Sequence, residues 1–118
     1  MKKIRFDRMA GGRSPIGEFP DALSSKQAQK VIWVLQLVEE IDPVPDRYFK
    51  KLAGSDGIWE IRIDAGNNTF RILGFLDGKE LVVLNHAFQK KTRKTSSKEI
   101  HLAENRKRDY LARKNHHE

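Results

Sequence analysis

Two arginines on neighbouring predicted strands are the first residues in the sequence whose placement suggests chemistry. Arg62 and Arg71 flank the turn-forming segment from Ala65 to Asn68, and a symmetric turn sets them directly opposite each other. Like charges that face each other across an antiparallel pair destabilise it, so an anion between the two guanidinium groups would remove the repulsion. Guanidinium groups donate paired, charge-assisted hydrogen bonds to phosphate. The pair therefore predicts a phosphate-binding site, with pairing of each arginine to Glu60 or Asp64 as the ordinary alternative.

A histidine and a basic loop are predicted to lie beside this pair. If Asp77-Gly78 is a two-residue hairpin turn, Arg71 faces Leu84 and Thr69 faces His86 on the same side of the sheet. The ordinary pKa of histidine, near ~6.5, suits His86 to proton transfer, although a packed, hydrogen-bonded histidine is the alternative. The loop after the last strand adds four cations, Lys90, Lys91, Arg93 and Lys94.

This group of residues could cleave RNA without a metal or a cofactor. The 2′-hydroxyl of RNA is a built-in nucleophile, so a protein needs to fix the phosphate, neutralise its developing charge and move two protons. A lysine beside other cations has a depressed pKa and could accept a proton. We predict the catalytic residues to be Arg62, Arg71, Lys91 and His86. The predicted RNA-binding residues are Lys90, Lys94, Arg93, Lys50 and Lys51, and we expect no metal site and no cofactor.

Length, composition and charge limit the classes of protein to which this chain can belong. The 118 residues predict a single domain over 1–118, and 38% hydrophobic with 33% charged residues is typical of a globular chain. Absence of cysteine excludes disulfides and thiolate catalysis. We find no apolar run near the ~20 residues of a membrane span and no secretory signal, and so expect a cytoplasmic protein with no membrane partner. Residues 86–118 hold 10 basic and 4 acidic side chains, which favours a polyanionic partner.

The N-terminal half of the sequence predicts a strand followed by a helical hairpin. Residues Lys3 to Phe6 form the strand, and Ser14-Pro15 begins a short helix that ends near Leu23. Ser24 and Gln27 then form a capping box that opens a second helix. This second helix carries an apolar stripe of Ala28, Val31, Leu35, Val38 and Ile41, and ends at Asp42-Pro43.

The C-terminal half predicts an antiparallel sheet and a last helix. A connector over Val44 to Gly57, with a helical turn at Tyr48 to Leu52, leads to strands Ile58 to Asp64, Thr69 to Leu76 and Lys79 to Ala87. Ser96 and Glu99 form a capping box for a helix through about Arg113. The sheet face expected under the hairpin carries Trp59, Ile61, Ile63, Phe70, Ile72, Leu76, Leu81 and Val83. The fold class is therefore α+β, with the arginines on the uncovered face.

Three segments carry a family resemblance over nearly the whole chain. Lys51-Leu52 with Ile58 to Arg62, then Phe70 to Leu73, and then Val83 to Thr92 resemble the phage-derived HigB-like branch of the RelE/ParE toxin superfamily. The resemblance implies a small antiparallel sheet flanked by helices. It also implies a toxin of a type II toxin–antitoxin system that cleaves mRNA on the translating ribosome and inhibits translation. The implied partners are the ribosome, mRNA and a co-encoded antitoxin, commonly a helix-turn-helix protein.

The resemblance places Arg62 and Arg71 at the family's strand arginines, and Lys90 or Lys91 at its basic residue after the last strand. RelE itself has a basic residue where this chain has Glu60, and a functional tyrosine where this chain has Lys94-Thr95-Ser96. The general base is therefore left open. ParE relatives inhibit DNA gyrase with the same architecture, so a non-catalytic binder of gyrase or nucleic acid is the rival interpretation, with a phage accessory protein without toxicity as a third.

Overall fold

A five-stranded mixed sheet organises the part of the chain that the structure describes, which is residues 2–7, 23–90 and 94–117 of a computed structural model. The elements in chain order are β1 (Lys3–Phe6), α1 (Ser25–Glu40), β2 (Phe49–Lys51), β3 (Ile58–Ala65), β4 (Asn68–Asp77), β5 (Leu81–Gln89) and α2 (Ser97–His117). The strand order is β1-β5-β4-β3-β2, with β1 parallel to β5 and every other pair antiparallel. The predicted α+β class and central β3-β4-β5 meander are confirmed, while the parallel edge strand makes the sheet mixed.

Helix α1 begins at the predicted capping box. The amide of Gln27 donates to Ser24 Oγ at 3.2 Å, and the amide of Ser24 donates to Gln27 Oε1 at 3.0 Å. Three valines at helical spacing are buried against the sheet, namely Val31, Val34 and Val38. The first helix of the predicted hairpin, from Ser14-Pro15, lies outside the described residues.

The register of β3 with β4 is the predicted one. Ala65 pairs with Asn68 around a two-residue turn, so Arg62 is the direct partner of Arg71. Gly66 in this turn has a φ of 65°, in the left-handed region that glycine adopts readily. The alternate residues of these strands form the buried core under α1, which contains Ile61, Ile63, Phe70 and Ile72 with Phe49, Val82 and Leu84.

Strand β2 replaces the helical turn predicted at Tyr48 to Leu52. Phe49 is buried and stacks on Trp59, with ring centroids 4.6 Å apart, while the next residue points to the other side. Lys50 pairs with Glu60, so this short segment completes the sheet edge beside β3. Burial of the Phe49 ring and hydrogen bonding to the edge of β3 together outweigh the weak local preference for a turn.

The predicted register of β4 with β5 is wrong. Asp77 pairs with Leu81 around a three-residue turn, and a register shift at Leu73/Gly74 leaves Asn85 as an extra residue in β5. The longer turn and the register shift together make His86 the partner of Leu73, and give Arg71 and Thr69 new neighbours. Arg71 faces Phe88 instead of Leu84, and the amide of Lys90 donates to the Thr69 carbonyl. Leu81 and Val83 face the side of the sheet opposite to the predicted one.

Helix α2 covers the apolar end of the sheet face that the sequence predicts to be uncovered. Ile58, Leu73 and Ala103 form a second buried core there, with Leu52 and Phe88 packed against it. The side chain of Asn85 donates to the Ala103 carbonyl at 3.1 Å, so the extra residue of β5 anchors the helix. The arginine-bearing end of the same face is left outside this apolar contact.

Gly74 lies at the register shift, where the two strands approach too closely for a side chain. A Cβ atom there would lie 2.2 Å from the Val83 carbonyl oxygen and 3.0 Å from Leu84 Cα. We expect Gly74→Ala to lower the free energy of unfolding by at least about 2 kcal/mol, because backbone must move. Gly54→Ala is the control, since Gly54 has positive φ but nothing within 4 Å of its Cβ position, and should cost only about 1 kcal/mol. Equal losses in urea denaturation would contradict this view of the bulge.

Candidate functional site: a basic groove at the edge of the sheet

A groove of about 420 Å³ lies between the β2 edge, β3 and the segment that leads into α2. We call it the basic groove because its lining includes five cations, Lys50, Lys51, Arg62, Lys90 and Lys94, with Glu60 and Thr95 among them. These cations come from elements that are distant in the sequence. A larger cavity of about 570 Å³ beside the start of α1 has two lysines and one carboxylate, Lys26, Lys30 and Asp64. The basic groove is therefore the stronger candidate for binding an anion.

One carboxylate lies between the two facing arginines. Glu60 Oε1 is 3.4 Å from Arg71 Nε and 3.6 Å from Arg62 Nε. The arginines share a sheet face as predicted, and their repulsion is offset by a side chain of the protein itself. A bound anion is therefore not needed to hold the pair together.

The two arginines differ in their access to solvent. The Arg62 side chain is 35% exposed and lines the groove, whereas the Arg71 side chain is 4% exposed and lies behind Glu60. Arg71 Nη1 donates to the Phe70 carbonyl at 2.9 Å, and its Nε makes no hydrogen bond with a described residue. Burial lowers the pKa of Arg71, and the charge of Glu60 opposes this effect. In this geometry Arg62 can contact a ligand, while Arg71 acts through Glu60.

Lys90 is the groove lysine whose proton affinity is perturbed. Burial, followed by repulsion from Arg71, lowers the pKa of Lys90, and the charge of Glu60 opposes this. Its amide donates to the Thr69 carbonyl at 2.7 Å, which fixes the backbone at the end of β5. Lys90 therefore gives up its proton more readily than an ordinary lysine does.

The remaining predicted cations fall into two groups: some line the groove, and others lie outside the described residues. Lys94 lines the groove with Lys50 and Lys51, as their predicted binding role requires. Lys91 and Arg93 lie outside the described residues, because the structure describes the chain up to Lys90 and again from Lys94.

The contact between Glu60 and Thr95 was not predicted from the sequence. The Thr95 hydroxyl donates to Glu60 Oε2, which ties the segment before α2 to β3. The alternation of β3 does place Glu60 on the same face as Arg62, so the sequence held a signal for the carboxylate. It held no signal for Thr95, whose position depends on the docking of α2.

His86 lies away from the predicted polar corner. Its Nε2 is 2.5 Å from Glu99 Oε2, its Nδ1 is 3.4 Å from Arg106 Nη1, and its ring stacks on Phe88 with centroids 5.2 Å apart. Burial, with a contribution from the charge of Arg106, lowers the pKa of His86, although Glu99 opposes this. The predicted neighbourhood with Thr69 is therefore wrong, because the three-residue turn and the β5 bulge together move this histidine along β4 to Leu73, beside α2.

The described residues hold no cluster of metal-binding side chains, and Tyr110 lies outside the basic groove. No group of three or more histidine, aspartate or glutamate side chains there could hold a metal ion. Tyr110 donates to Asp77 at 2.8 Å, near the far end of α2, and does not line the basic groove.

A family model for Phage derived protein Gp49-like (DUF891) matches residues 18–108. The chain belongs to this Gp49-like family. Its members are regarded as candidate toxins of toxin–antitoxin systems. The matched range of this Gp49-like chain contains every residue named above as lining the basic groove. A comparison with curated proteins finds no match. No helix in the described part of the chain is long and apolar enough to cross a membrane.

The lowered pKa of His86 predicts how stability depends on pH. The unfolded chain binds a proton at His86 near pH ~6.5, whereas the folded chain binds it only at lower pH, so stability falls as pH drops below about 6.5. We expect the free energy of unfolding to decrease between about pH 7.5 and about pH 5.5, and to decrease less in His86→Gln. Urea denaturation at both pH values checks this. Identical pH dependence in the two proteins would show that His86 is not the group responsible.

Proposed function

We propose that this Gp49-like chain is the toxin of a type II toxin–antitoxin system and cleaves mRNA on the translating ribosome. The observation that carries the proposal is the partly exposed Arg62 beside Lys90 in a groove lined by five cations. Family membership supports the toxin class, and the strand arginines and basic loop resemble the HigB-like branch of the RelE/ParE superfamily. A cytoplasmic location follows from such a target.

The groove residues supply what RNA cleavage through the 2′-hydroxyl needs. The 2′-oxygen attacks phosphorus, the bond to the 5′-oxygen breaks, and a 2′,3′-cyclic phosphate and a 5′-hydroxyl form. Arg62 and Lys94 neutralise the charge that builds on the phosphate oxygens. Lys90, with its lowered pKa, takes the proton from the 2′-hydroxyl, and the leaving 5′-oxygen receives a proton from the lysine so protonated or from water. Lys91 stays a predicted participant.

A cognate antitoxin is the expected partner, and the charge of the chain supports an acidic one. The formal net charge is +7, and the basic groove opens on one edge of the sheet. A helix-turn-helix antitoxin that places carboxylates over Arg62 and the groove lysines would block access of RNA.

A second candidate function is a binder that does not cleave, acting on gyrase or on nucleic acid. Two observations favour it. Glu60 already lies between the two arginines, and the His86 ring is held by Glu99 and Arg106. A binder needs the cations of the groove but no group that transfers protons.

Arg62→Ala tests the proposed site. We expect growth arrest on induction to be lost and cleavage of mRNA, mapped by primer extension, to fall on the order of a hundredfold or more, because a positioned donor to the phosphate disappears. Arg62→Lys should be only partly active, since it keeps the charge but loses the paired donors.

The matched control is Arg108→Ala, which removes an exposed arginine of α2 outside the lining of the groove and should leave cleavage unchanged. Full cleavage by a folded Arg62→Ala protein would contradict the proposal. Growth arrest without any cuts in mRNA would favour the non-cleaving binder.

A further inference from the structure

We infer that Glu60 is the resident counter-anion of the basic groove and sets how tightly the groove binds an RNA phosphate. The inference rests on the proposed function, since it takes RNA as the ligand of the groove. Its carboxylate lies within 3.6 Å of one arginine and 3.4 Å of the other. An arriving phosphate therefore meets a group of cations that already contains a fixed negative charge.

The first step of the argument is that the buried charge of Arg71 needs a partner. The side chains of Arg71 and Glu60 are only 4% and 5% exposed, so neither charge is solvated by bulk water. A buried charge without a partner is strongly destabilising, and two cations in direct register add repulsion. Glu60 reduces both costs in the absence of any ligand, and Asp64 Oδ1, 3.8 Å from Arg71 Nη1, is a second and more exposed partner of Arg71 alone. The folded protein is thus independent of RNA for the integrity of this site.

The second step concerns which atoms Glu60 occupies. It approaches both guanidinium groups at Nε, and Arg62 makes no other ion pair with a described residue. The two Nη groups of Arg62 are left for a ligand that enters the groove. Glu60 thus positions Arg62 and at the same time repels the phosphate that Arg62 would bind.

The third step decides which of these two effects is larger. A glutamine in place of Glu60 keeps an oxygen that can accept hydrogen bonds and loses only the charge. Near a protein surface, a unit charge a few ångströms from an anion changes its affinity on the order of tenfold or more, even after salt screening. Loss of the repulsion should therefore outweigh any loosening of Arg62.

Thr95 supplies a control that separates charge from geometry. Its hydroxyl donates to the other oxygen of Glu60 and holds the carboxylate in place. Thr95→Val removes this hydrogen bond with little change of shape and leaves every charge in the groove. It should alter phosphate affinity by no more than about twofold, because a single neutral hydrogen bond contributes modestly.

The experiment measures binding of a short, fluorescently labelled 2′-O-methyl RNA by anisotropy at constant ionic strength. The 2′-O-methyl group blocks cleavage, so affinity is read without turnover. We expect Glu60→Gln to bind on the order of tenfold more tightly than the wild type, and Thr95→Val to differ from the wild type by no more than about twofold. Equal or weaker binding by folded Glu60→Gln would overturn the inference, and so would an equal gain in Thr95→Val.

A double substitution keeps the test decisive if Glu60→Gln alone fails to fold. Glu60→Gln with Arg71→Gln removes both buried charges together and leaves no unpaired one. Its affinity should be several-fold higher than that of Arg71→Gln alone, because the repulsive carboxylate is gone. No gain over Arg71→Gln would refute a counter-anion role for Glu60.

Failure of this inference is distinguishable from failure of the proposed function. Tighter binding by Glu60→Gln together with no mRNA cuts by the wild type would support the counter-anion and reject the ribonuclease. Cuts by the wild type together with unchanged binding by Glu60→Gln would support the ribonuclease and reject the counter-anion.

Discussion

A single carboxylate shared by two guanidinium groups is the constraint on which the site depends. Glu60 can bridge Arg62 and Arg71 only because β3 and β4 pair in one register, and a shift by one residue would send the two arginines to opposite faces. That register is set locally, by the two-residue turn at Gly66-Asn67 and by alternate apolar residues that must reach the core under α1. The chemistry of the groove therefore follows from the packing of the opposite side of the same strands.

The parts of the fold that could be predicted from the sequence are those with local causes. The capping box of Ser24 with Gln27 and the β3–β4 hairpin each depend on a few adjacent residues, and both are confirmed. The β4–β5 register depends instead on a three-residue turn after Asp77 and on a bulge at Asn85, which the docking of α2 stabilises through the Ala103 carbonyl. That contact joins residues far apart in the sequence, and a turn signal such as Asp77-Gly78 contains no information about it.

The candidate site, like the fold, has features that follow from local sequence and features that depend on contacts between distant segments. Strand alternation and charge predicted the facing arginines and the groove lysines, since each follows from its own short segment. The displacement of His86 could not be predicted, because the longer β4–β5 turn and one extra residue in β5 together carry it from Thr69 past Arg71 to Leu73 and toward Glu99. Glu99 itself was predicted as part of a capping box and instead reaches across to this histidine. The role of Thr95 was equally hidden, since it depends on where α2 begins relative to β3.

The residues of β3 and β4 determine where the buried part of the α2-side face ends and its open part begins. Along β3 this face changes from Ile58 to Glu60 and Arg62, and along β4 it changes from Leu73 to Arg71. Helix α2 packs on the apolar end, because burial there is favourable. Extending the helix contact over the charged end would require Arg62 to lose its remaining water, although its carboxylate partner Glu60 is already shared with Arg71. The groove is therefore the part of the sheet that α2 cannot cover without the cost of desolvating a second arginine. For this reason it stays open to an anionic ligand, while Arg71 lies buried behind Glu60.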